Sequence, residues 1–257
     1  MRVMTFNIRF ENDQDDANAW VHRRDMIVDL IVRHRPDILG TQEGKRHQLI
    51  YLRDRLPGYV LHAPGRMMDE RSQYPTLFIR RDTLERVGGE EFWLSKTPHT
   101  SLSMNWDSAF PRMFSAAQLI SGEEPHCLWA AVTHLDHMGP VARLRQGAII
   151  ARWASQRTAP VIIMGDFNDG PGSAVHEVLT APETGMADSW ICHGGTEGPA
   201  SYTHHGFQGT PRITRMDWIL TSSRFRVTNT RIVRDNINGR YPSDHFPYMI
   251  DIERRRD

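Results

Sequence analysis

Val161-Ile162-Ile163-Met164-Gly165-Asp166-Phe167-Asn168 is the stretch from which the rest of the chain can be read. Three β-branched residues and a methionine predict a buried strand. Its tip delivers Asp166 and Asn168, two apart and therefore on the same side of an extended segment. Gly170-Pro171-Gly172-Ser173 then turns the chain, and Ser173 is placed to cap a short helix. A strand needed only for a core has no use for a carboxylate and an amide at its end. The same pattern recurs beside other apolar runs, at Thr5-Phe6-Asn7, Thr41-Gln42-Glu43, Thr133-His134-Leu135 and Ser243-Asp244-His245. If these ends converge they form an acidic, oxygen-rich pocket with two imidazoles. A hard divalent cation and a phosphate ester together require such a pocket.

Working outward, residues 3–8 read as a strand and 11–18 as a polar loop in which Asn18 can cap the next helix. In the helix over 20–34, Ile27, Leu30, Ile31 and His34 share one face, and Pro36 ends it. A strand over 37–41 leads to Glu43, and a helix follows over 48–56. Strands are expected at 59–62, 76–80, 86–94 and 115–120, with a long polar loop over 95–112. A strand over 127–135 ends in His134, and a helix follows over 139–156. After a Gly-, Thr- and His-rich loop over 192–210, strands are expected at 215–220, carrying Asp217, and at 225–233 and 246–252. The charged tail 253–257 reads as solvated. Many buried strands and few helices suit two sheets packed face to face with helices outside.

The chain has 257 residues, enough for one large domain over 1–257, and no linker interrupts it. Lys+Arg and Asp+Glu are 31 each, so the formal charge is zero, which argues against a protein that coats nucleic acid. Cys127 and Cys192 lack zinc-ligand spacing and read as free thiols. No charged-then-apolar leader precedes the first strand and no apolar run reaches membrane-spanning length. The expectation is a cytoplasmic protein with no membrane span and no obligate protein partner.

The ordered motifs, from Asn7 to His245, resemble the endonuclease/exonuclease/phosphatase superfamily. Gly-Asp-x-Asn with a terminal Ser-Asp-His is the specific part of the match. Phe92-Trp93-Leu94-Ser95, Phe110-Pro111-Arg112, His134-Leu135-Asp136-His137 and the Tyr241-Pro242 lead-in resemble a bacterial branch of it. The resemblance implies an α/β fold, a four-layer α/β sandwich of two packed mixed β-sheets flanked by helices, with the site at one end of the sheets. It also implies dependence on Mg2+ or Mn2+. It does not supply a substrate.

Glu43 is the expected metal ligand, with Asp244 completing the site or binding a second cation and Asn7 orienting Glu43 or the phosphate without adding charge. Asp166 would accept the proton of the attacking water, and Asn168 would hold that water or a phosphate oxygen. The bland alternative for this pair is an Asx-turn, and for Asn7 a turn after a strand. His245 would touch a non-bridging oxygen with Asp217 behind its ring, or serve as the base itself. The resemblance makes His134 a second histidine at the leaving oxygen and Arg112 an arginine near the phosphate. Arg143 is a weaker candidate, since most helix arginines are merely solvated. Trp106 and Tyr241 would contact substrate or anchor loops; His205 and Phe207 lie on the same flanking segments, and Phe207 reads as an anchor. Asp136 and His137 divide between function and surface loop. The expected substrate is a phosphate ester, a small diester or nucleic acid. The alternatives are a phosphomonoesterase on a small organic phosphate and a non-catalytic module retaining the fold.

Overall fold

The computed structural model of the chain describes residues 1–122 and 124–255, with residues 124–126 described by backbone alone. Along the chain come β1 (Arg2–Asn7), α1 (Trp20–His34), β2 (Ile38–Gly44), α2 (Arg46–Arg55), β3 (Tyr59–His62) and β4 (Tyr74–Arg80). Then follow β5 (Leu84–Trp93), β6 (Met113–Ser121), β7 (Glu124–His134), α3 (Pro140–Ser155) and β8 (Val161–Asp166). The last elements are α4 (Ala174–Leu179), β9 (Met186–Asp188), α5 (Ser189–Cys192), β10 (Asp217–Ser222), β11 (Phe225–Ile232) and β12 (Tyr248–Arg254).

These strands form two six-stranded sheets, ordered β11-β12-β1-β2-β4-β3 and β5-β6-β7-β8-β10-β9. Each sheet holds one parallel pair at its centre, β1 with β2 and β7 with β8, joined through α1 and α3; the other pairings are antiparallel. Both sheets are therefore mixed, as expected, and each half of the chain supplies one strand–helix–strand unit.

Strand alternation sorts the apolar residues into three layers. Val3, Ile38, Leu77, Ala130, Val132, Ile162, Met164 and Ile219 fill the space between the sheets. Met4, Phe6, Leu39 and Phe78 face the other way, onto Ile27, Leu30 and Ile31 of α1 and Leu49 and Leu52 of α2. Ala131, Ile163, Trp218 and Leu220 pack on Ile150 and Trp153 of α3 and Val175 and Leu179 of α4. The result is the four-layer sandwich. Gly40 faces the middle layer, where a Cβ would stand 2.7 Å from Met164 Cγ and 2.9 Å from Val132 Cγ2. Glycine here lets the two sheets approach directly behind the strand tips.

Local details depart from expectation. Residues 13–18 form a short 3-10 turn capped by Asn12, whose side chain accepts from Gln14 N. The expected cap residue, Asn18, instead gives its carbonyl to Arg23, and α1 starts after Ala19 without a side-chain cap. The last strand starts at Tyr248 rather than Phe246, because Phe246 N is taken by Thr203 O. β9 and α5, of three and four residues, are too short for periodicity to reveal. Within the tail, β12 runs to Arg254 and Glu253 pairs with Arg226; residues 256–257 lie outside the described residues. Ser173 does cap α4, accepting from His176 N. Both cysteines are free thiols. Among the described residues no helix is long and apolar enough to cross a membrane.

Candidate active site at the tips of the two sheets

Alternation carries the apolar middle layer directly into a polar cluster. In β1 the inward positions are Val3, Thr5 and Asn7; in β8 they are Ile162, Met164 and Asp166; in β10, Ile219 and then Asp217 at the strand's start. Asp217 lies directly opposite Asp166 in the antiparallel ladder. The same rule, applied to β2, would send Glu43 outward to the helices. The register slips between Thr41 and Gly44, and Glu43 takes a left-handed φ of 66°. This bulge re-aims its carboxylate at the cluster. Asn168 also has a left-handed φ, 52°, which asparagine tolerates well.

The Asn7 side chain joins the sheets. Its Nδ2 donates to Glu43 Oε1 at 3.1 Å and to Asp166 Oδ2 at 3.0 Å. Arg9 N donates to Asn7 Oδ1 at 3.0 Å, which fixes the amide with its hydrogens toward the carboxylates. Glu43 Oε2 accepts from Phe10 N, and Asp166 Oδ1 accepts from Asn168 N. Asn168 Nδ2 donates to Leu135 O and to His134 Nε2, the latter at 2.9 Å. His245 Nδ1 lies 2.8 Å from Asp217 Oδ2, and its Nε2 is 3.9 Å from Asp166 Oδ2, too long for a hydrogen bond. Ser243 Oγ donates to the carbonyl of Asn7 and so ties β1 to the segment before β12.

The charges follow from these contacts. Burial and then the neighbouring Asp217 charge push the Asp166 carboxyl up to about 7, against the pull of His245 and Asn7. Burial disfavours a charge on His245, but Asp217, Asp166 and Asp244 outweigh it and raise the imidazolium to about 10. His134 is held well below the ordinary histidine range by burial and by Arg112, so its ring is neutral and accepts from Asn168. Burial works against the Asp244 carboxylate, yet His245 and Arg9 keep it below its usual range. The oxygens of Glu43, Asp166 and Asp244 are the donors a hard divalent cation takes, so the residues fit one. Ring and carboxylate atoms of His204, Asp244 and His245, and of Asp166, Asp217 and His245, also lie within 4.8 Å of one another. A cationic His245 already bonded to Asp217 is a poor ligand, and Asp217 is committed to it, so in these groups Asp244 and Asp166 are the carboxylates that could face a cation.

One wall is built by the loop over 95–112. Asp136 organises it: Oδ2 accepts from Ala109 N, Phe110 N and Ser108 Oγ, and Oδ1 from Met138 N and Gly139 N. Arg112 is buried behind it, with Nε 3.5 Å from Asp136 Oδ2 and Nη2 3.2 Å from His137 Nδ1. Burial lowers its guanidinium, while Asp136, Glu43 and Asp166 act to hold the charge. Arg143 stands apart, its Nε on Asp169 and its Nη1 on the Asp136 carbonyl. Trp106 is half-buried on the loop with a φ of 59°. Tyr241 packs edge-on against His205 and Phe246, and His205 stacks on Phe246, so both are braces of the 204–209 segment. Phe207 lies under the Arg23 guanidinium, 5.7 Å from ring to Cζ.

Three residues escaped the sequence reading. Arg9 clamps Asp15 through two bonds and reaches to 3.7 Å from Asp244 Oδ2. Arg23 is fully buried and donates to the carbonyls of Ile8, Arg9, Asn18 and Pro242, so it knits the tip of β1 to the segment carrying Asp244. His204 sits edge-on to His245, ring centroids 4.9 Å apart. Only Arg9 carried a signal, standing two residues beyond Asn7.

Residues 4–245 match the sequence profile of the Endonuclease/Exonuclease/phosphatase family. An endonuclease/exonuclease/phosphatase structure from Bacteroides vulgatus is 30% identical, covers 99% of this chain and 98% of its own, and superposes with a TM-score of 0.89. A Bacteroides thetaiotaomicron mannosyl-6-phosphatase is 26% identical over 98% of this chain and 99% of its own, with a TM-score of 0.87. Drosophila melanogaster Nocturnin is 25% identical over 187 residues, 67% of this chain, and the match spans 28% of the fly protein's length.

Proposed function

The chain belongs to the endonuclease/exonuclease/phosphatase family, and from that premise we propose a divalent-cation-dependent phosphoesterase in which Asp166 takes the proton of a water attacking phosphorus. The observation that carries this reading is the Asn7 amide, bonded to Glu43 on one sheet and to Asp166 on the other. It sets a cation ligand and a base side by side yet distinct. Glu43 and Asp244 would hold Mg2+ or Mn2+, which when bound supplies neutralisation of phosphate charge and Lewis acidity.

The side chains supply the rest. A carboxyl poised near neutrality suits a general base. Its Oδ1 is anchored by Asn168 N and its Oδ2 by Asn7, so the base cannot swing. His245 is held cationic and offers Nε2–H to a non-bridging oxygen, where charge builds in the transition state. A cationic His245 is no base, which favours Asp166 of the two schemes the sequence left open. His134, neutral and accepting from Asn168, orients that amide toward the water rather than supplying a proton to the leaving oxygen.

Between ester classes, a small phosphomonoester has the better support, although the sequence pointed first to a diester. A monoester dianion asks for extra fixed positive charge. Arg112 is buried beside the cluster with a 3.5 Å contact to Asp136 as the nearest partner of its Nε among the described residues. The similar Bacteroides thetaiotaomicron protein is named a mannosyl-6-phosphatase. The test is hydrolysis of p-nitrophenyl phosphate beside bis(p-nitrophenyl) phosphate with Mn2+, Mg2+ or chelator, using Asp166→Asn as control. Cation-dependent monoester turnover that is lost in the variant is expected. Preference for the diester would return the first reading, and full activity of Asp166→Asn would remove the base.

A further inference from the structure

One wall of the site presents two well-exposed apolar side chains. Phe110 is 51% exposed and Met138 67% exposed, on two loops that meet there. The Phe110 ring stacks on the His137 imidazole, centroids 5.6 Å apart and planes 24° from parallel. Arg112 lies against this pair, its Cζ 5.7 Å from the Phe110 centroid and its Nη2 3.2 Å from His137 Nδ1. Arg112 and His137 both lie within electrostatic reach of Glu43, and Arg112 also within reach of Asp166. The stacked rings are therefore exposed to solvent beside Arg112, within electrostatic reach of the carboxylate cluster.

A lone exposed phenylalanine needs no explanation. This one is presented on a built support. Ala109 N, Phe110 N and Ser108 Oγ all bond Asp136 Oδ2. Asp107, just before them, caps the first turn of α3 by accepting from Ala142 N at 2.6 Å and Val141 N at 3.3 Å. Gly139 fits because Asp107 occupies the space its Cβ would need, at 2.4 Å from the Asp107 carbonyl oxygen. Gln146 closes the network, accepting from Asp136 N and donating to Ser108 Oγ. So much bonding beneath an exposed ring pre-organises a contact surface, and contacts on rigid supports lose little entropy when used.

We propose that the Phe110–His137 pair is the platform for the alcohol part of the substrate, and that it selects phosphate esters whose alcohol is a ring with a flat apolar face over open-chain esters. The proposal rests on the phosphoesterase reading above and deepens it. Arg112 Cζ is 5.7 Å from the Phe110 centroid, so a ring one ester linkage away from a phosphate held at Arg112 is within reach of Phe110. Sugar rings and aryl rings share the required face, and stacking of this kind changes affinity about tenfold per ring.

The experiment uses Asp166→Asn protein with Mn2+, so that ligands bind without turning over, and compares it with the Asp166→Asn/Phe110→Ala and Asp166→Asn/Phe110→Tyr doubles. Calorimetry is run with mannose 6-phosphate, p-nitrophenyl phosphate and glycerol 3-phosphate. The two ring esters are expected to weaken about tenfold in the Ala double, with glycerol 3-phosphate changing less than about twofold and Tyr restoring the ring esters. Equal weakening of all three, no effect of Phe110→Ala, or no binding of any of them overturns the platform. The same substitution in otherwise native protein gives the turnover readout. Ring-selective binding through Phe110 in a protein that hydrolyses no phosphate ester keeps the platform and sinks the phosphoesterase reading, so the two failures are separable.

Discussion

Replacing Asp217 by asparagine tests whether the charge on His245 is made by its partner. Asp217 Oδ2 lies 2.8 Å from His245 Nδ1 inside a buried site. Burial alone would push His245 below its ordinary value of 6.5, and the acids around it, Asp217 foremost, lift it to about 10. At pH 8 a group with a pKa of about 10 is about 99% protonated, whereas one at or below 6.5 is at most about 3% protonated. Asp217→Asn is nearly isosteric, so the fold should survive while the imidazolium is lost at that pH. In chelator-treated protein, 15N shifts of the labelled histidine ring should read a cation at pH 8 in the native chain and a neutral ring in the variant. The sign for stability follows from the raised value. The pair's contribution is complete below pH 6.5 and disappears as pH rises toward 10. Turnover should fall by about 10²–10³, the usual effect of removing one donor to a developing phosphate charge. A His245 ring still charged at pH 8 in Asp217→Asn would refute the reasoning, because Asp166 and Asp244 would then suffice to hold the proton.

Glu43→Gln should raise the Mn2+ concentration for half-saturation at least about tenfold by calorimetry; an unchanged titration would strike Glu43 from the ligands. His62 bridges the sheets through Nε2 to the Ala116 carbonyl at 3.0 Å, and burial lowers its pKa from 6.5 to about 4. Its contribution is intact above pH 6.5 and lost as pH falls toward 4, about 3 kcal/mol in all. His62→Gln should therefore show a shallower fall in urea stability over that window, and parallel curves would count against it. Gly40→Ala forces a methyl to 2.7 Å from Met164 Cγ and should cost about 1–3 kcal/mol of unfolding free energy; an unchanged urea midpoint would mean the sheets part freely there.

What was legible in the sequence was the set of strand tips. A polar residue at either end of an apolar run is a local signal, so Asn7, Asp166, Asp217 and His245 stood out, and alternation puts three of them on the inner face. Glu43 was found by type but not by direction, since simple alternation points it away and only the bulge brings it back. Arg23 and His204 were illegible because their meaning lies in distant partners: Arg23 bonds Pro242 across 219 positions, and His204 meets His245 through a bridge between loops. The rim aromatics were ambiguous for the same reason. Tyr241 became a brace only when His205 and Phe246 closed around it, and Phe110 entered the sequence reading merely as a motif neighbour of Arg112.

The pairing of β1 with β12 has a further bearing on how this protein comes into being. β1 lies inside its sheet, with β2 on one edge and β12 on the other, in register from Arg2 opposite Asp251 to Thr5 opposite Tyr248. As the ribosome extends the chain, β1 emerges long before β12, and its second edge stays open until residues 248–254 appear. Until then, a strand whose residues 3–7 are all buried in the finished fold waits with unpaired backbone groups, the condition that invites chaperones or aggregation. The cluster at its tip waits as well, since Asp244 and His245 arrive only just ahead of that last strand. Chains that stop short of β12 should be found among insoluble or chaperone-bound material, and an assembled site should first appear once β12 has paired with β1.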